Sequence, residues 1–160
     1  VVVWFDAHAD INTPESTTSD YLGGLALSGP LGMWDSGLGS GLAADKAILV
    51  GVRDVDPPER GTIESSGLTE VAPGPDLARR VVSAVKGRPV YVHIDCDVLE
   101  PGAVPTEYRV SGGLTLAELG EVAEALAEGE VVGLEIGEFE SETGEEDFVS
   151  LLDALAPLLG

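Results

Sequence analysis

The sequence predicts an α/β fold: a mainly parallel sheet covered on both faces, in a three-layer sandwich. Two observations carry this. Short β-rich apolar runs alternate along the chain with segments of helical period, the pattern of right-handed βαβ units. The runs that end near Asp6, Arg53, Asp95 and Glu138 each meet polar residues as they end. In a parallel sheet those carboxyl ends share one edge, where α/β proteins place ligands. With 160 residues, 44% of them hydrophobic, the chain is expected to form a single domain over residues 1–160 with its own core.

Taken in order, Val1, Val2, Val3, Trp4 and Phe5 read as a buried strand, followed over 11–20 by a polar loop containing Pro14. Residues 21–31 are expected to form a short helix, weakened by Gly23, Gly24 and Gly29, and 33–41 a Gly/Ser-rich linker. Residues 46–52 are the next apolar run; Pro57 and Pro58 open a short helix over 59–65, and 68–71 is a short strand. Leu77, Val81, Val82 and Val85 recur at helical spacing over 76–85, and Gly87 stops that helix. A strand over 90–95 leads into a loop over 99–113, after which Thr115 caps a helix with the stripe Leu116, Leu119, Val122, Ala123 and Leu126. A strand over 131–138 and an amphipathic helix carrying Phe148, Leu151, Leu152, Leu155 and Leu158 finish the chain. Val1 stands in what reads as a core strand, so further residues are expected upstream of it.

The formal net charge is −21, from 29 acids against 8 Lys and Arg. No basic stripe exists to displace counterions from a nucleic-acid backbone, whereas a negative field draws cations in. Much of the charge, Glu142, Glu145 and Glu146 included, reads as solvated surface. Cys96 is the single cysteine; it is read as a small core residue, and a reducing cytosol is the expected location. Neither a signal peptide nor a membrane span is read in the sequence.

Asp6, His8 and Asp10 stand two residues apart at the end of the first strand. On extended backbone all three point the same way, and two carboxylates with an imidazole suit a divalent cation such as Mn or Zn. A polar loop capping a helix is the competing reading. The strand over 90–95 weighs against that alternative, because Asp95 and Asp97 are again two apart as it ends. Aligned acids on two strands repel strongly unless a cation lies between them. Asp6, His8, Asp10, Asp56, Asp95, Asp97 and Glu138 are therefore expected to line one crevice.

Asp6-Ala7-His8-Ala9-Asp10-Ile11-Asn12-Thr13-Pro14 and His93-Ile94-Asp95-Cys96-Asp97-Val98-Leu99-Glu100-Pro101 resemble the two metal signatures of the ureohydrolase (arginase/agmatinase) family, in its arginase branch. Gly51-Val52-Arg53-Asp54-Val55-Asp56-Pro57 and Gly112-Gly113-Leu114-Thr115 resemble further segments of it, in the same order. The resemblance implies two Mn2+ ions bridged by hydroxide, with Asp6 and Asp95 shared, Asp10 completing one site, and His8 and Asp97 the other. It implies hydrolysis of a small cationic, arginine-like guanidino substrate to release urea, with Asp10 and Glu138 as catalytic residues and Glu138 paired to the guanidinium. Asn12 and Ser19 correspond to positions that hold an α-carboxylate, and Asp56 and Glu59 to positions that handle an α-ammonium. Turn stabilisation competes as a reading of Asn12 and Ser19, and an exposed strand end as a reading of Glu138. Trimers or hexamers follow by analogy.

The departures are specific. The family carries an upstream Gly-Gly-Asp-His segment that supplies a histidine to the first metal, so the chain is read as an N-terminally truncated form of the fold. Gly23 stands where arginases have a proton-shuttling histidine, and Tyr108 where a small hydroxyl residue is usual. His93 has two readings: a substitute ligand or, the one preferred, a deeper residue that hydrogen-bonds a ligand. The alternative function is a non-catalytic metal-binding fragment or pseudoenzyme subunit, and the plainest is an acidic scaffold that binds no metal.

Overall fold

Apolar runs too short to bury themselves pair into a sheet, and the computed structural model shows that sheet, describing residues 1–141 and 145–160 except the side chains of 145–147. Glu142 and the side chains of Glu145 and Glu146 lie outside the described residues. β1 (Val2–Phe5), β2 (Ala47–Val50), β3 (Thr69–Val71), β4 (Val90–Asp95) and β5 (Val131–Gly137) form a parallel sheet in the order β3-β2-β1-β4-β5. The chain builds outward from β1 on one side and then returns to place β4 on the other. That reversal between β1 and β4 opens a crevice beyond their carboxyl ends.

The odd-numbered side chains of β1 (Val3, Phe5) and the even ones of β2 and β4 (Ile48, Val50, Val92, Ile94) face a core closed by α2 (Leu77–Val85), α3 (Leu116–Ala127) and α4 (Glu145–Leu155). The helical spacing is realised by Leu77, Val81 and Val85 of α2 and by Leu119, Val122 and Leu126 of α3, all buried. Val82 is exposed, one position around the helix from that stripe. On the opposite face of the sheet Trp4, Ala47 and Leu49 pack against Ile63 of α1 (Pro57–Ser66) and against Leu27. Thr115 caps α3 as expected: its hydroxyl accepts from Glu118 N–H at 3.1 Å, while the Glu118 carboxylate accepts from Thr115 N–H at 2.8 Å. No described helix is long and apolar enough to cross a membrane.

The helix expected over 21–31 does not form. A single 3-10 turn (Gly23–Leu25) is followed by turns, because Gly23, Gly24 and Gly29 favour the unfolded chain and Pro30 removes a donor. The second strand also ends earlier than expected, at Val50. Gly51 takes φ +92°, and a Cβ there would lie 2.5 Å from Val98 Cγ2. That residue turns the chain under the site, so its lack of a side chain is required both by backbone angle and by space. Gly51→Ala is expected to lower stability by about 2 kcal/mol, measured by urea unfolding. Gly61→Ala, in α1 with open space around it, is expected to raise stability by up to about 1 kcal/mol; equal effects of the two would refute the packing explanation.

Candidate functional site

Phe5 of β1 is in register with Ile94 of β4, so the residues that follow, Asp6 and Asp95, emerge side by side. The acids are almost out of contact with solvent: Asp6 and Asp97 are 1% exposed, Asp95 8% and Asp10 9%. Backbone donors brace them. Ala7 N–H donates to Asp97 Oδ1 at 3.0 Å, Asp97 N–H to Asp95 Oδ1 at 2.9 Å, and His8 N–H to Asp6 Oδ1 at 2.6 Å. Trp4 Nε1–H adds a bond to Asp6 Oδ2 at 3.1 Å. His8 turns Nδ1 inward, 2.9 Å from Asp97 Oδ2 and 3.4 Å from Asp6 Oδ1.

Asp10 reaches the cluster differently from the expectation. Extended backbone does not continue to it: β1 ends at Phe5, and Asp10 takes φ 55°, in the left-handed region. Its carboxyl nevertheless interacts with those of Asp6 and Asp95. Glu138, just past β5, is left-handed too, at φ 53°. Non-glycine residues in that region are uncommon and concentrate where surroundings force them.

Burial, followed by the charge of Asp6, raises the Asp10 carboxyl well above the ordinary range, and burial likewise raises Asp6. Asp95 is pushed up to about 8 by burial and by the charges of Asp6 and Asp97. Burial works in the same direction on Asp97, but hydrogen bonds from His8 and Ala7 outweigh it and hold that carboxyl low. His8 is raised to about 11 by its bonds to Asp6 and Asp97. Without a cation the cluster therefore keeps protons that a divalent ion would displace. Two overlapping sets, Asp6 with His8 and Asp97, and Asp6 with His93 and Asp95, each bring their ligand atoms within 4.8 Å of one another. Oxygen-rich sets with an imidazole fit a divalent ion of the Mn2+ type, so these residues can hold metal. Asp10 falls outside both sets.

A cavity of about 240 Å³ opens beside the acids, lined by His8, Asp10, Asn12, Ser19, Asp56 and Glu59 together with Tyr21 and Tyr108. Asn12 donates through Nδ2 to Asp56 Oδ2 at 3.1 Å and accepts from Ser16 Oγ at 2.9 Å. Glu59 is 4% exposed, and its two oxygens accept from Ile11 N–H at 3.0 Å and Asp56 N–H at 3.1 Å. Ser19 is exposed at the rim, with Oγ accepting from Tyr21 N–H at 3.3 Å. Glu138 does not line this cavity directly; Tyr21, which does, donates its hydroxyl to Glu138 Oε1. A larger cavity of about 710 Å³ lies over Leu22, Leu25, Pro30, Trp34 and Leu42, but it is lined by no titratable side chain, so the smaller one is the candidate site.

Three residues had no assigned role in the sequence reading. Tyr21 reaches Glu138; Trp4 holds Asp6. Arg53 binds backbone carbonyls from below, donating to Asp97 O at 2.8 Å, Val110 O at 2.7 Å and Gly51 O at 3.0 Å. A partly buried cation directed at carbonyls leaves no local pattern in sequence, and an aromatic in a core strand reads only as packing.

The arginase family model matches residues 1–154. An N(omega)-hydroxy-L-arginine amidinohydrolase of Streptomyces lavendulae is 45% identical over 98% of this chain and 59% of its own length. An arginase of Schizosaccharomyces pombe is 34% identical over 91% of this chain and 51% of its own. The arginase structure of Bacillus caldovelox superposes with a TM-score of 0.86 at 28% identity, over 99% of this chain and 59% of that one. The chain thus spans half to three fifths of the length of these proteins.

Free of metal, the folded protein holds protons on Asp6, Asp10 and Asp95 that the unfolded chain releases near pH 4. A raised carboxyl stabilises the acid side, so stability is expected to fall as pH rises from about 4 through about 8, the value at Asp95. His8 acts in the same direction: its contribution is full below about 6.5 and is lost toward about 11. Thermal melting in EDTA should therefore be higher at pH 5 than at pH 8, and Mn2+ should restore the difference at pH 8. Equal melting at both pH values with no response to Mn2+ would count against the electrostatic account.

Proposed function

Since this chain belongs to the arginase family, we propose that it performs manganese-dependent hydrolysis of an arginine-like guanidino substrate, releasing urea. The observation that supports this most is the meeting, at the sheet's reversal point, of a buried carboxylate cluster with a crevice next to Glu138. When bound, two Mn2+ ions lower the pKa of a shared water and supply hydroxide at neutral pH. Asp6, Asp95, His8 and Asp97, with Asp10 beside them, would hold the ions. Asp10 accepts a proton at its carboxylate from the attacking water and returns it to the leaving nitrogen.

Glu138 takes the guanidinium in a two-point pairing that a carboxylate suits. Tyr21 occupies one of its oxygens, so substrate shares or displaces that hydroxyl. Asn12 and Ser19 are assigned to the α-carboxylate, while Asp56 supplies charge for the α-ammonium. Glu59 assists from beneath, since its oxygens already fix Ile11 and Asp56. The acidic surface favours a cationic substrate and disfavours nucleic acid. The single Cys96, buried and raised to about 12 by burial, fits a reducing cytosol and a packing role. Trimeric or hexameric assembly is carried by analogy alone.

A second reading is an N-hydroxyguanidino substrate, which would release hydroxyurea. The name of the Streptomyces lavendulae relative favours it, as does the pair of tyrosines beside Glu138, Tyr21 and Tyr108, with ring centroids 5.9 Å apart. Their hydroxyls can donate to the oxygen of a substrate N–OH, whereas a guanidinium carries donors only and gives an added O–H nothing to bond. Supplied with Mn2+ and each substrate in turn, the chain is expected to release urea or hydroxyurea, and the faster reaction decides between the two. A folded chain that binds Mn2+ yet releases neither would shift the reading to a metal-binding subunit. Asp95→Ala should lose bound Mn2+ by elemental analysis; retention of two ions would refute its shared position. Glu138→Gln should keep the metals and lower kcat/KM by roughly 100-fold.

A further inference from the structure

We propose that His93 is itself a metal ligand, its Nε2 joining Asp6 and Asp95, with Glu135 holding the ring in the tautomer that binds. The proposal rests on the metal reading above and adds to it a residue from the middle of a strand. Alternation along β4 puts His93 and Asp95 on one face. Register pairs His93 with Trp4 on one side and with Glu135 on the other.

Each neighbour fixes the ring. The imidazole stacks on the Trp4 indole with centroids 3.5 Å apart and planes at 12°. The same indole holds Asp6 Oδ2 through Nε1–H, so one rigid side chain positions an acid and an imidazole together. On the other side, Nδ1 lies 2.8 Å from Glu135 Oε1. A carboxylate only accepts, so Nδ1 carries a proton, and in the neutral ring Nε2 keeps its lone pair. That lone pair is buried and has no hydrogen-bond partner among the described residues, in a side chain 12% exposed.

Buried acceptors without a partner are rare. Here a partner of definite chemistry is implied, because a ring nitrogen of His93 and oxygens of Asp6 and Asp95 lie within 4.8 Å of one another. An ion with bonds of about 2.1 Å spans donors up to about 4.2 Å apart, so donors gathered on this scale can close on one ion. A neutral nitrogen also adds affinity without adding to the surplus negative charge, and a carboxylate behind it raises its basicity. Its Cε1 edge faces Gly137, the residue in register with Asp95, so the ring leans toward the same end of the sheet as the acids. His93 stands two residues deeper in β4 than Asp95, beside Trp4, yet one of its ring nitrogens comes within 4.8 Å of ligand oxygens of Asp6 and Asp95.

The test compares the chain with His93→Phe, which keeps the stack on Trp4 and removes both nitrogens, and with Glu135→Gln at the exposed position behind it. Mn2+ affinity and stoichiometry are read by titration, nitrogen coordination by electron spin-echo modulation of bound Mn2+, and fold by melting in EDTA. His93→Phe is expected to weaken one Mn2+ by 10-fold or more, roughly the scale of losing a supporting histidine contact, and to remove one imidazole coupling while metal-free melting is preserved. Glu135→Gln should weaken the same ion by a smaller factor and keep the coupling; it carries the test should His93→Phe not fold. Unchanged Mn2+ affinity and unchanged nitrogen coupling in His93→Phe would overturn the proposal and leave the metal reading standing. An unaltered chain that takes up no Mn2+ would overturn the metal reading itself.

Discussion

Carboxylates buried at the rim of a sheet repel one another, and the architecture around Asp6, Asp10, Asp95 and Asp97 is organised by that repulsion. The effective cost of burying one unpaired ion is several kcal/mol, a large share of a whole domain's stability of about 5–15 kcal/mol. Four such groups cannot stand charged and uncompensated. The chain answers with backbone N–H donors from Ala7, His8 and Asp97 and with the Trp4 indole. These offset part of the cost and leave the acids oriented. His8, raised to about 11, adds a positive partner for Asp6 and Asp97, and what remains is met by protons on the raised Asp6, Asp10 and Asp95 or by a cation that would displace them.

The topology makes such a gathering possible. Only at the reversal between β1 and β4 do two adjacent parallel strands send their chains away in opposite directions, and only there can side chains following both strands share a space not filled by a crossover. The backbone then departs from regular structure where the chemistry is placed. Asp10 and Glu138 adopt left-handed angles and Gly51 a conformation with no room for a side chain. At Asp10 and Glu138 strain of this kind costs about 1–3 kcal/mol each, so packing elsewhere has to sustain it. The continuous core over Val3, Phe5, Ile48, Val92 and Ile94 supplies that support.

Much of this was legible in the residue pattern. Strands that run into acids, the Thr115 cap and the helical spacing of Leu77, Val81 and Val85 are local signals, and the elements they mark are present. Residues 21–31 were not legible, since their glycines and Pro30 let contacts decide a path that period alone suggested was helical. Asp10 shows a subtler limit: spacing placed it with the other acids for the wrong backbone reason. Asn12, Asp56 and Glu59 show another. Sequence marks a polar side chain, but whether its partner is a ligand or another part of the chain depends on neighbours 44 or 48 residues away. Their mutual bonds fix one rim of the cavity.

Positive charge is arranged around the same constraint. Among the described residues, Lys46 pairs with Asp45, Arg60 with Glu70 and Arg79 with Asp76, all away from the cluster. Arg53 lies beneath it, yet its guanidinium goes to carbonyl oxygens of Gly51, Asp97 and Val110 and not to the carboxylates. Had Arg53 turned upward it would have neutralised Asp97 and filled the space with a fork of donors. By binding the chain's carbonyls it fixes the turn that carries Asp97, while the field of a fixed cation still favours the ionised acids. The protein thus uses its nearest arginine to shape the turn under the site, while His8 is the cationic partner of Asp6 and Asp97.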